Sequence, residues 1–442
     1  MIIITIKVLK SPFRGLNLHM KKTLICIFLF SIAFSAFAKK DGSMQRFICS
    51  QKVPTTFDAV RLARLDSALQ KLVDNGTIPH AVTFVAHHGK VIHNKAFGWR
   101  NLESKIPCEK DDYFRMASQT KAITAVAVMT LFEEGKILLD EPIKKYIPEF
   151  ANPQVLVSFN QADSSFITRP AKGDITIRQL LTHTSGISYG AGNSRKMYDK
   201  MGIPVSPLYT LENKKLGEVI KLLATCPLEH DPGEKFSYGM SVDVLGYLIE
   251  VVSGMSIDQY FRQRIFEPLG MNNTCFYLPK DKENRLVTLY QKNATSLLMP
   301  NPVTIYQTFP YSGAKTFFST GAGLYGTIED YARFCQMILN GGEFNGKRIL
   351  GRKTVELMCR NQVKDLRGEI GFGLAFDDFR PEYVYQTIAS EGSLRWGGMF
   401  GTDYIIDPKE DLILLFYINL QPNNTGIDFK VLFHNLVYQA LK

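Results

Sequence analysis

The chain has 442 residues and a mass of 49.9 kDa, so it is too long for one small domain and long enough for two lobes with a cleft between them. Its 45% hydrophobic and 21% charged content is ordinary for a globular protein, which excludes disordered and repetitive chains. The net charge of +10 is spread out without a basic block, and we therefore predict no nucleic-acid partner.

The N-terminus has the form of a secretory signal. Residues 20–38 begin with a basic pair that includes Lys21, continue with an apolar run and end with small residues at Ala38. The apolar run is too short to favour a membrane anchor. We therefore predict that residues 1–38 are upstream sequence and signal peptide, and that the mature protein is periplasmic or secreted, with no stable membrane anchor. Those residues hold five Lys or Arg and no Asp or Glu, so the mature charge falls from +10 to about +5.

The N-terminal third of the mature chain alternates helical and strand patterns. Residues 39–55 are predicted to be a linker, and apolar residues at helical spacing predict a helix over residues 56–74. Two short strands around the turn HHGK follow within residues 80–101. The next helix opens at Ser118 and ends near Gly135.

Helices predominate in the middle of the chain, and strand patterns return near its end. Strands near both termini predict an antiparallel sheet built from both chain ends and flanked by helices, an α/β (α+β) fold with a mostly helical second lobe. The predicted sheet lobe covers about 56–140 and 326–440, and the helical lobe about 141–325. Sites in such folds lie in the cleft between lobes.

Metal and disulfide chemistry have little support in the sequence. The chain has seven cysteines at wide, irregular spacing, one of them in the predicted signal, and this pattern favours buried free thiols. It has no CxxC or HExxH motif, and its eight histidines are scattered. We therefore predict neither a metal site nor an organic cofactor.

Ser118 and Lys121 are candidate catalytic residues because side chains three apart on a helix are neighbours, roughly 5–6 Å apart at Cβ. The backbone N–H groups of a first helical turn can stabilise developing negative charge. Burial can lower the pKa of a lysine enough for it to help remove the serine proton. The alternative is a helix-capping serine beside a solvated lysine, which the four-residue pattern alone favours.

The sequence around this pair decides between the two. FRMASQTKAITAVAVMTLFEEGKILLDEPIKKYIPEF resembles the nucleophile segment of the serine β-lactamase and penicillin-binding-protein superfamily, in its class C-like branch. The likeness continues in family order through ITIRQLLTHTSGI, FSYGMSVDVLGYLIEVVSGMSIDQYFRQRIFEPLGM, GAGLYGTIEDYARF and WGGMFGTDYIIDP. It implies a β-lactamase/transpeptidase-like fold for residues 56–440 and acyl transfer through a serine ester.

The resemblance implies a catalytic role for three residues. Ser118 matches the acylated nucleophile, and Lys121 matches its partner lysine. Tyr238 matches the second-motif tyrosine, which moves protons between the nucleophile, the lysine and the leaving group. Met240 replaces the asparagine of that motif, and YGMSVDVLG is similar to the esterase-type members here.

The third motif departs from the family pattern. Trp396-Gly397-Gly398 replaces K-T-G on the strand beside the site, and Met399 occupies the position whose backbone N–H should complete an oxyanion hole with that of Ser118. The two glycines would let the substrate approach the strand closely.

A competing nucleophile motif lies at residues 186–190. GISYG matches G-x-S-x-G, which in α/β-hydrolases needs a strand before the serine and an acid and a histidine after it. A helical pattern precedes Ser188 and a Gly/Asn/Ser loop follows it. We therefore interpret the match as accidental, in a loop lining the cleft, and nearby His183 as a structural hydrogen-bonding residue.

The third motif also bears on the substrate. Trp396 cannot supply the positive charge that the family lysine places near a β-lactam carboxylate, and Arg395 should face away because strand side chains alternate. This favours an exported, esterase-like hydrolase of a neutral small-molecule or cell-envelope substrate. A β-lactamase or D-Ala-D-Ala peptidase is the first alternative, and a non-catalytic binding paralogue is the second.

Overall fold

A computed structural model describes most of the chain after the predicted signal, and the signal itself lies outside the described residues. The described residues are 47–49, 53–160, 162–163, 165–190, 193–205, 209–368, 370–378, 388–423 and 425–442. All of them belong to one compact unit, Gln45–Lys442. Among them, no helix is both long enough and apolar enough to cross a membrane.

The described strands are short, apart from two long ones near the N-terminus. They are β1 Ile48–Cys49, β2 His80–His87, β3 Lys90–Asn101, β4 Ile106–Pro107, β5 Phe114–Arg115, β6 Gln154–Phe159, β7 Phe166–Pro170, β8 Thr274–Cys275, β9 Tyr290–Lys292, β10 Leu298–Pro300, β11 Tyr325–Gly326, β12 Glu343–Phe344, β13 Lys347–Arg348, β14 Gly371–Phe372, β15 Asp377–Asp378, β16 Leu394–Gly397, β17 Asp403–Asp407 and β18 Leu412–Tyr417.

The described helices are concentrated in the middle of the chain. They are α1 Ala59–Asp74, α2 Thr120–Glu133, α3 Ile177–Leu181, α4 Asn193–Lys200, α5 Leu216–Leu223, α6 Ser241–Ser253, α7 Ile257–Phe261, α8 Glu267–Leu269, α9 Thr304–Thr308, α10 Ile328–Leu339, α11 Arg352–Cys359 and α12 Phe429–Tyr438.

The main sheet joins the two ends of the chain. Its described strands run in the order β1-β3-β2-β18-β17-β16-β15-β14, and β4 pairs with β3 outside this path. The central pairs are antiparallel, with Phe84 opposite Leu415 and Trp396 opposite Tyr404. The predicted fold class is confirmed: an antiparallel sheet built from both chain ends and flanked by helices.

Both faces of the central strands are covered, so β2 is buried along its whole length. Because strand side chains alternate, Val82 and Phe84 join the core that contains α2, whereas Ala81 and Val85 join a second core with α1 and α12. A strand buried on both faces is apolar at nearly every position.

Helix α1 follows from its sequence almost directly. It begins one residue after Asp58, whose carboxylate accepts a hydrogen bond from the Arg61 N–H and so caps the helix. Its buried stripe repeats every three or four residues and consists of Leu62, Leu65, Leu69 and Leu72. The predicted helix over residues 56–74 is therefore correct except for its first turn.

The middle of the chain holds most of the helices, as predicted, but it also contains strands. Hairpins β6–β7 and β9–β10 lie within residues 141–325, and the sequence pattern did not indicate either of them. The cysteines whose side chains the structure describes are free thiols, at Cys108, Cys226, Cys275, Cys335 and Cys359.

Helix α2 forms the centre of the first core. Every residue from Thr120 to Leu131 is buried, and the helix packs against α6 and α7. A helix that is apolar all round is typical of the interior of a large protein. Because Lys121 belongs to this helix, it is buried in the core as well.

Candidate active site

Ser118 lies in a strained turn rather than in the helix that the sequence predicted to begin there. Residues Ala117–Gln119 form a 3₁₀ turn, and α2 starts at Thr120. Ala117 has φ of +46°, in the left-handed region that a side chain disfavours, and such strain is common at functional sites. Ser118 is partly exposed, whereas every other residue from 112 to 131 is buried. The turn therefore presents the Ser118 hydroxyl at the surface of the core.

Lys121 reaches the Ser118 hydroxyl from inside the core, where its residue is only 2% exposed. Its Nζ donates to Ser118 Oγ at 3.3 Å, to Tyr189 OH at 2.9 Å and to the Gly321 carbonyl oxygen at 2.8 Å. It also lies 4.7 Å from the centroid of the Tyr238 ring. The two residues that the spacing predicted to be neighbours are in direct contact.

The environment of Lys121 favours its charged form. Burial by itself disfavours the ammonium, but Tyr189, Tyr238 and the Asp243 carboxylate outweigh that effect and raise the pKa of Lys121. Burial does act to lower this pKa, as expected from the sequence, but the neighbouring groups reverse the direction of the net shift. Lys121 is an ammonium group near neutral pH and acts on Ser118 as a positive charge and a hydrogen-bond donor.

Asp243 supplies the negative charge beneath Lys121. It lies in the first turn of α6 and is 1% exposed. Its Oδ1 accepts hydrogen bonds from the Gly321 N–H at 2.9 Å and from Ser319 Oγ at 3.0 Å. Gly321 thus joins the two charges, since its N–H binds Asp243 and its carbonyl binds Lys121. Burial raises the pKa of Asp243, and Lys121 opposes that shift.

Tyr238 stands between Lys121 and the third motif, just before α6. Its ring centroid lies 5.5 Å from that of Trp396 and 5.6 Å from that of Tyr189. Its hydroxyl oxygen is buried and has no hydrogen-bond partner among the described residues. This hydroxyl therefore has unused hydrogen-bonding capacity next to Lys121.

The third-motif glycines are required by close packing within the protein. A Cβ on Gly398 would overlap the Met116 carbonyl oxygen, and a Cβ on Gly397 would lie 2.7 Å from the Thr402 carbonyl oxygen. Thr402 Oγ1 also donates to the Met116 carbonyl at 3.2 Å. Gly398 thus lets the end of β16 pack against Met116, two residues before Ser118, whereas Gly397 packs against Thr402 in the same hairpin.

Met399 follows this contact and lies beside the nucleophile turn. It is partly exposed and packs against the small apolar cluster that contains Ala117, Tyr325 and Phe400. The strand end that carries Met399 therefore adjoins the turn that carries Ser118, as an oxyanion hole formed by their two N–H groups would require.

The two faces of β16 have opposite character. Trp396 packs on the core that contains α2, and its ring contacts that of Tyr238. Arg395 points to the other face, where its Nε lies 3.3 Å from the Asp403 carboxylate. The predicted orientation of Arg395 away from the site is correct.

A cation that the sequence did not indicate lies beside Trp396. The Arg367 guanidinium is 5.6 Å from the Trp396 ring centroid, and it also lies over the rings of Phe236 and Phe372. It is ion-paired with the Asp377 carboxylate on β15. The wall beside Trp396 is therefore aromatic, but it contains a paired charge.

Ser188, the serine of the competing GISYG motif, lacks the environment of a nucleophile. Ser188 is 4% exposed, donates its hydroxyl hydrogen to Glu229 and accepts the Gly190 N–H at 2.8 Å. His183 accepts the Gly239 N–H, and burial, together with Lys121 and Arg367, lowers the pKa of its imidazole, so it is neutral. The interpretation of His183 as a structural residue agrees with these contacts.

The comparisons with known proteins agree with this geometry. A family profile described as Beta-lactamase matches residues 65–433, most of the chain. The chain belongs to the Beta-lactamase family.

Several individual relatives within the Beta-lactamase family indicate which kind of activity to expect. Protein Rv1367c of Mycobacterium tuberculosis is 31% identical over 81% of this chain and 90% of its own. Esterase EstB of Burkholderia gladioli is 30% identical over 83% of this chain and 93% of its own. The solved structure of EstCE1, a hydrolase with promiscuous acyltransferase activity, has 27% identity and a TM-score of 0.73 and covers 86% of this chain and 99% of its own. The chain is a serine hydrolase of this family.

Three residues of this Beta-lactamase-family site were not found from the sequence. Tyr189 directly follows the serine of the GISYG match. The Tyr189 hydroxyl lies closer to Lys121 Nζ than the Ser118 hydroxyl does, at 2.9 Å against 3.3 Å. Asp243 is the lone acidic residue in the apolar run SVDVLGYLI, which was the available indication. Gly321 acts through its backbone, and no side-chain pattern could have revealed it. Among the described residues, no cluster of His, Cys, Asp or Glu could hold a metal ion.

Proposed function

We propose that this protein is an exported, esterase-like serine hydrolase that forms an acyl-enzyme on Ser118 and prefers neutral acyl donors. The observation that carries the proposal is the contact between Ser118 Oγ and the buried Lys121 ammonium, with Tyr189 and Tyr238 around the same nitrogen. The named activities of the relatives EstB and EstCE1 support it. Export rests on the form of residues 20–38, and the expected substrate is a small molecule or a component of the cell envelope.

The charge state of Lys121 suggests how the proton moves. Because Lys121 is an ammonium group, we assign the proton-accepting role to the oxygen of Tyr238, whose ring centroid lies 4.7 Å from Lys121 Nζ. Ser118 Oγ attacks the acyl carbon as its proton passes to Tyr238. Tyr238 then returns that proton to the leaving oxygen as the acyl–oxygen bond breaks. Water or an alcohol reverses these steps to release the acyl group.

We assign the oxyanion to two backbone N–H groups, those of Ser118 and Met399. The packing of Gly398 on Met116 holds the two segments together, so the donors would be in place before the substrate arrives. Fixed donors of this kind lower the barrier because they need no reorganisation during the reaction.

The aromatic wall supports the preference for neutral acyl donors. Tyr238, Phe372 and Trp396 form contiguous ring contacts next to the nucleophile. The Arg367 guanidinium in this wall is balanced by Asp377, so the pair offers no net charge to a substrate carboxylate. Burying an unpaired carboxylate there would cost several kcal/mol.

Labelling with a fluorophosphonate tests the nucleophile directly. The reagent should modify Ser118 and leave Ser188 unmodified, as read by peptide mass spectrometry. Ser118→Ala should abolish both labelling and hydrolysis of p-nitrophenyl butyrate, whereas the surface variant Ser67→Ala should keep both. Labelling at Ser188 would contradict the assignment, and an unlabelled, inactive wild-type protein would favour a non-catalytic paralogue.

A second candidate function has one observation in its favour. The Arg367 guanidinium lies beside Trp396, in the third motif, and it could bind the carboxylate of a β-lactam or D-Ala-D-Ala peptide if the Asp377 pair opened. A β-lactamase or peptidase would then share Ser118, Lys121 and Tyr238 with the esterase. The two functions predict opposite ratios of kcat/KM for a neutral ester and for a chromogenic cephalosporin.

A further inference from the structure

A polar cavity of about 500 Å³ adjoins the proposed site. Its lining residues are Ser188, Tyr189, Gly190, Arg195, Glu229, Ser237 and Tyr238. Its two tyrosines are the ones that contact Lys121, since the ammonium donates to Tyr189 and lies over the ring of Tyr238. The cavity therefore borders the side chain of the tyrosine to which we assign delivery of a proton to the leaving oxygen. An alcohol leaving from that side would occupy it.

A carboxylate at a defined position lines this cavity. The hydroxyl of Ser188 donates to Glu229 Oε1, and Ser188 is itself held by the Gly190 N–H. A carboxylate has about four lone-pair positions for hydrogen bonds, so Glu229 can accept a ligand hydroxyl in addition to its contacts within the protein. Hydrogen bonds to a charged acceptor are stronger than those between neutral groups.

The same cavity also contains a cation. Arg195 lines it, and its Nε binds Asp199 at 3.0 Å. A guanidinium has five N–H donors in a fixed fork, so it can bind hydroxyl oxygens in addition to this pair. An acceptor and a donor group in one cavity match a ligand that both donates and accepts hydrogen bonds, as a diol does.

The charges of the cavity disfavour ligands with a net charge. A cationic leaving group would approach the ammonium of Lys121 and the guanidinium of Arg195. An anionic one would approach Glu229. A neutral group with several hydroxyls meets neither repulsion, so the electrostatics and the hydrogen-bonding groups indicate the same class of ligand.

We propose that this cavity binds the alcohol half of the substrate and selects esters of polyhydroxylated alcohols, such as glycerol or a sugar, over esters of simple alkyl alcohols. The inference rests on the proposed function, because it takes Tyr238 as the donor to the leaving alcohol. In the step concerned, the bond between Ser118 Oγ and the acyl carbon forms and the acyl–oxygen bond breaks. The proton goes to the departing oxygen while neighbouring hydroxyls of the alcohol bind Glu229 and Arg195.

The test compares esters that share one acyl group. Wild-type protein should hydrolyse glyceryl monobutyrate with a kcat/KM about tenfold above that for n-propyl butyrate, the scale of one charge-assisted hydrogen bond. Glu229→Gln should bring the ratio of the two values close to one. Glu229→Asp, which keeps the carboxylate, should retain part of the preference. The control variant Glu212→Gln changes an exposed glutamate outside the cavity and should leave the ratio at its wild-type value.

Three results would overturn the inference or its premise. Equal kcat/KM for the two esters in the wild type, or an unchanged ratio in a stably folded Glu229→Gln variant, would overturn the polyol subsite. A preference for butyrylcholine over both esters that Glu229→Gln abolishes would show a cation site instead. A wild-type protein that hydrolyses no ester at all would overturn the proposed function rather than the subsite alone.

A second measurement needs no variant. The acyl-enzyme formed from p-nitrophenyl butyrate is exposed to glycerol and 1-propanol at equal concentration, and the two new esters are quantified. Because acyl transfer to an alcohol is the reverse of acylation, the cavity should yield glyceryl butyrate in about tenfold excess. Equal amounts of the two esters would overturn the inference even if Glu229→Gln did not fold.

Discussion

The reactivity assigned to Ser118 depends on a positive charge that the protein core holds in place. Lys121 is only 2% exposed, yet it keeps its proton because its neighbours, among them the Asp243 carboxylate, outweigh the effect of burial. Its ammonium group can polarise the Ser118 hydroxyl and donates a hydrogen bond to the Tyr189 hydroxyl. It cannot take the serine proton itself. The residues around it therefore act as a unit.

Two substitutions measure how far the reactivity of Ser118 depends on Lys121 and Tyr238. Lys121→Ala and Tyr238→Phe should each lower kcat for p-nitrophenyl butyrate by at least ~10²-fold, because each removes part of one proton path. The double variant should be little worse than the poorer single variant. Exposed Lys110→Ala is the control and should have wild-type kcat. Losses that multiply in the double variant would contradict a shared path.

At the scale of elements, the site depends on how β16 meets the turn before α2. These segments are far apart in the chain, and Gly398 permits contact between their backbones. The Thr402 hydroxyl adds a hydrogen bond to Met116 at the same point. The distance between the two proposed oxyanion donors is therefore set by backbone packing rather than by a side chain of either residue.

Gly398→Ala should separate these two elements. Its added Cβ has no space beside the Met116 carbonyl, so we expect a loss of ~1–3 kcal/mol in the free energy of unfolding. We also expect kcat to fall by ~10²-fold, the scale of a displaced oxyanion donor. Chemical denaturation and ester hydrolysis measure the two effects. Gly173→Ala, where a Cβ meets no atom within 4 Å, is the matched control. A fully active and stable Gly398→Ala protein would refute the packing argument.

At the scale of the whole molecule, the wall of the site is assembled from distant parts of the chain. Tyr238 comes from the helical middle, Trp396 from the returning sheet, and Arg367 from the segment before β14. Asp377 on the next strand neutralises Arg367. Substrate choice is therefore a property of the folded molecule and not of any one motif.

The ion pair predicts a preference that a single substitution should weaken. The kcat/KM for p-nitrophenyl butyrate should exceed that for a chromogenic cephalosporin by at least a hundredfold, since ~3 kcal/mol of carboxylate burial corresponds to that factor. Asp377→Asn removes the partner of Arg367 and should raise the relative rate for the cephalosporin by about fivefold. Asp378→Asn, one residue further on, is the control. Efficient cephalosporin hydrolysis with negligible ester turnover would instead support the β-lactamase function.

The sequence alone determined the features that depend on short separations along the chain. The contact between Ser118 and Lys121 follows from three-residue spacing, even though a 3₁₀ turn replaces the first helical turn. The opposite facing of Arg395 and Trp396 follows from the period of two in a strand. The fold class follows from strand patterns near both ends of the chain.

Only the tertiary structure decided the environment of those residues. The partners of Lys121 include Tyr189, 68 residues away, and Gly321, 200 residues away, and no local pattern specifies such pairs. The protonation state of Lys121 depends on these partners. Burial and neighbouring charge shift its pKa in opposite directions, and the balance between them depends on atomic positions. The ion pair between Arg367 and Asp377 beside Trp396 could not be predicted either, because no local pattern specifies which side chains meet in the folded protein. Local periodicity specifies where a side chain points, whereas long-range packing determines what it meets there.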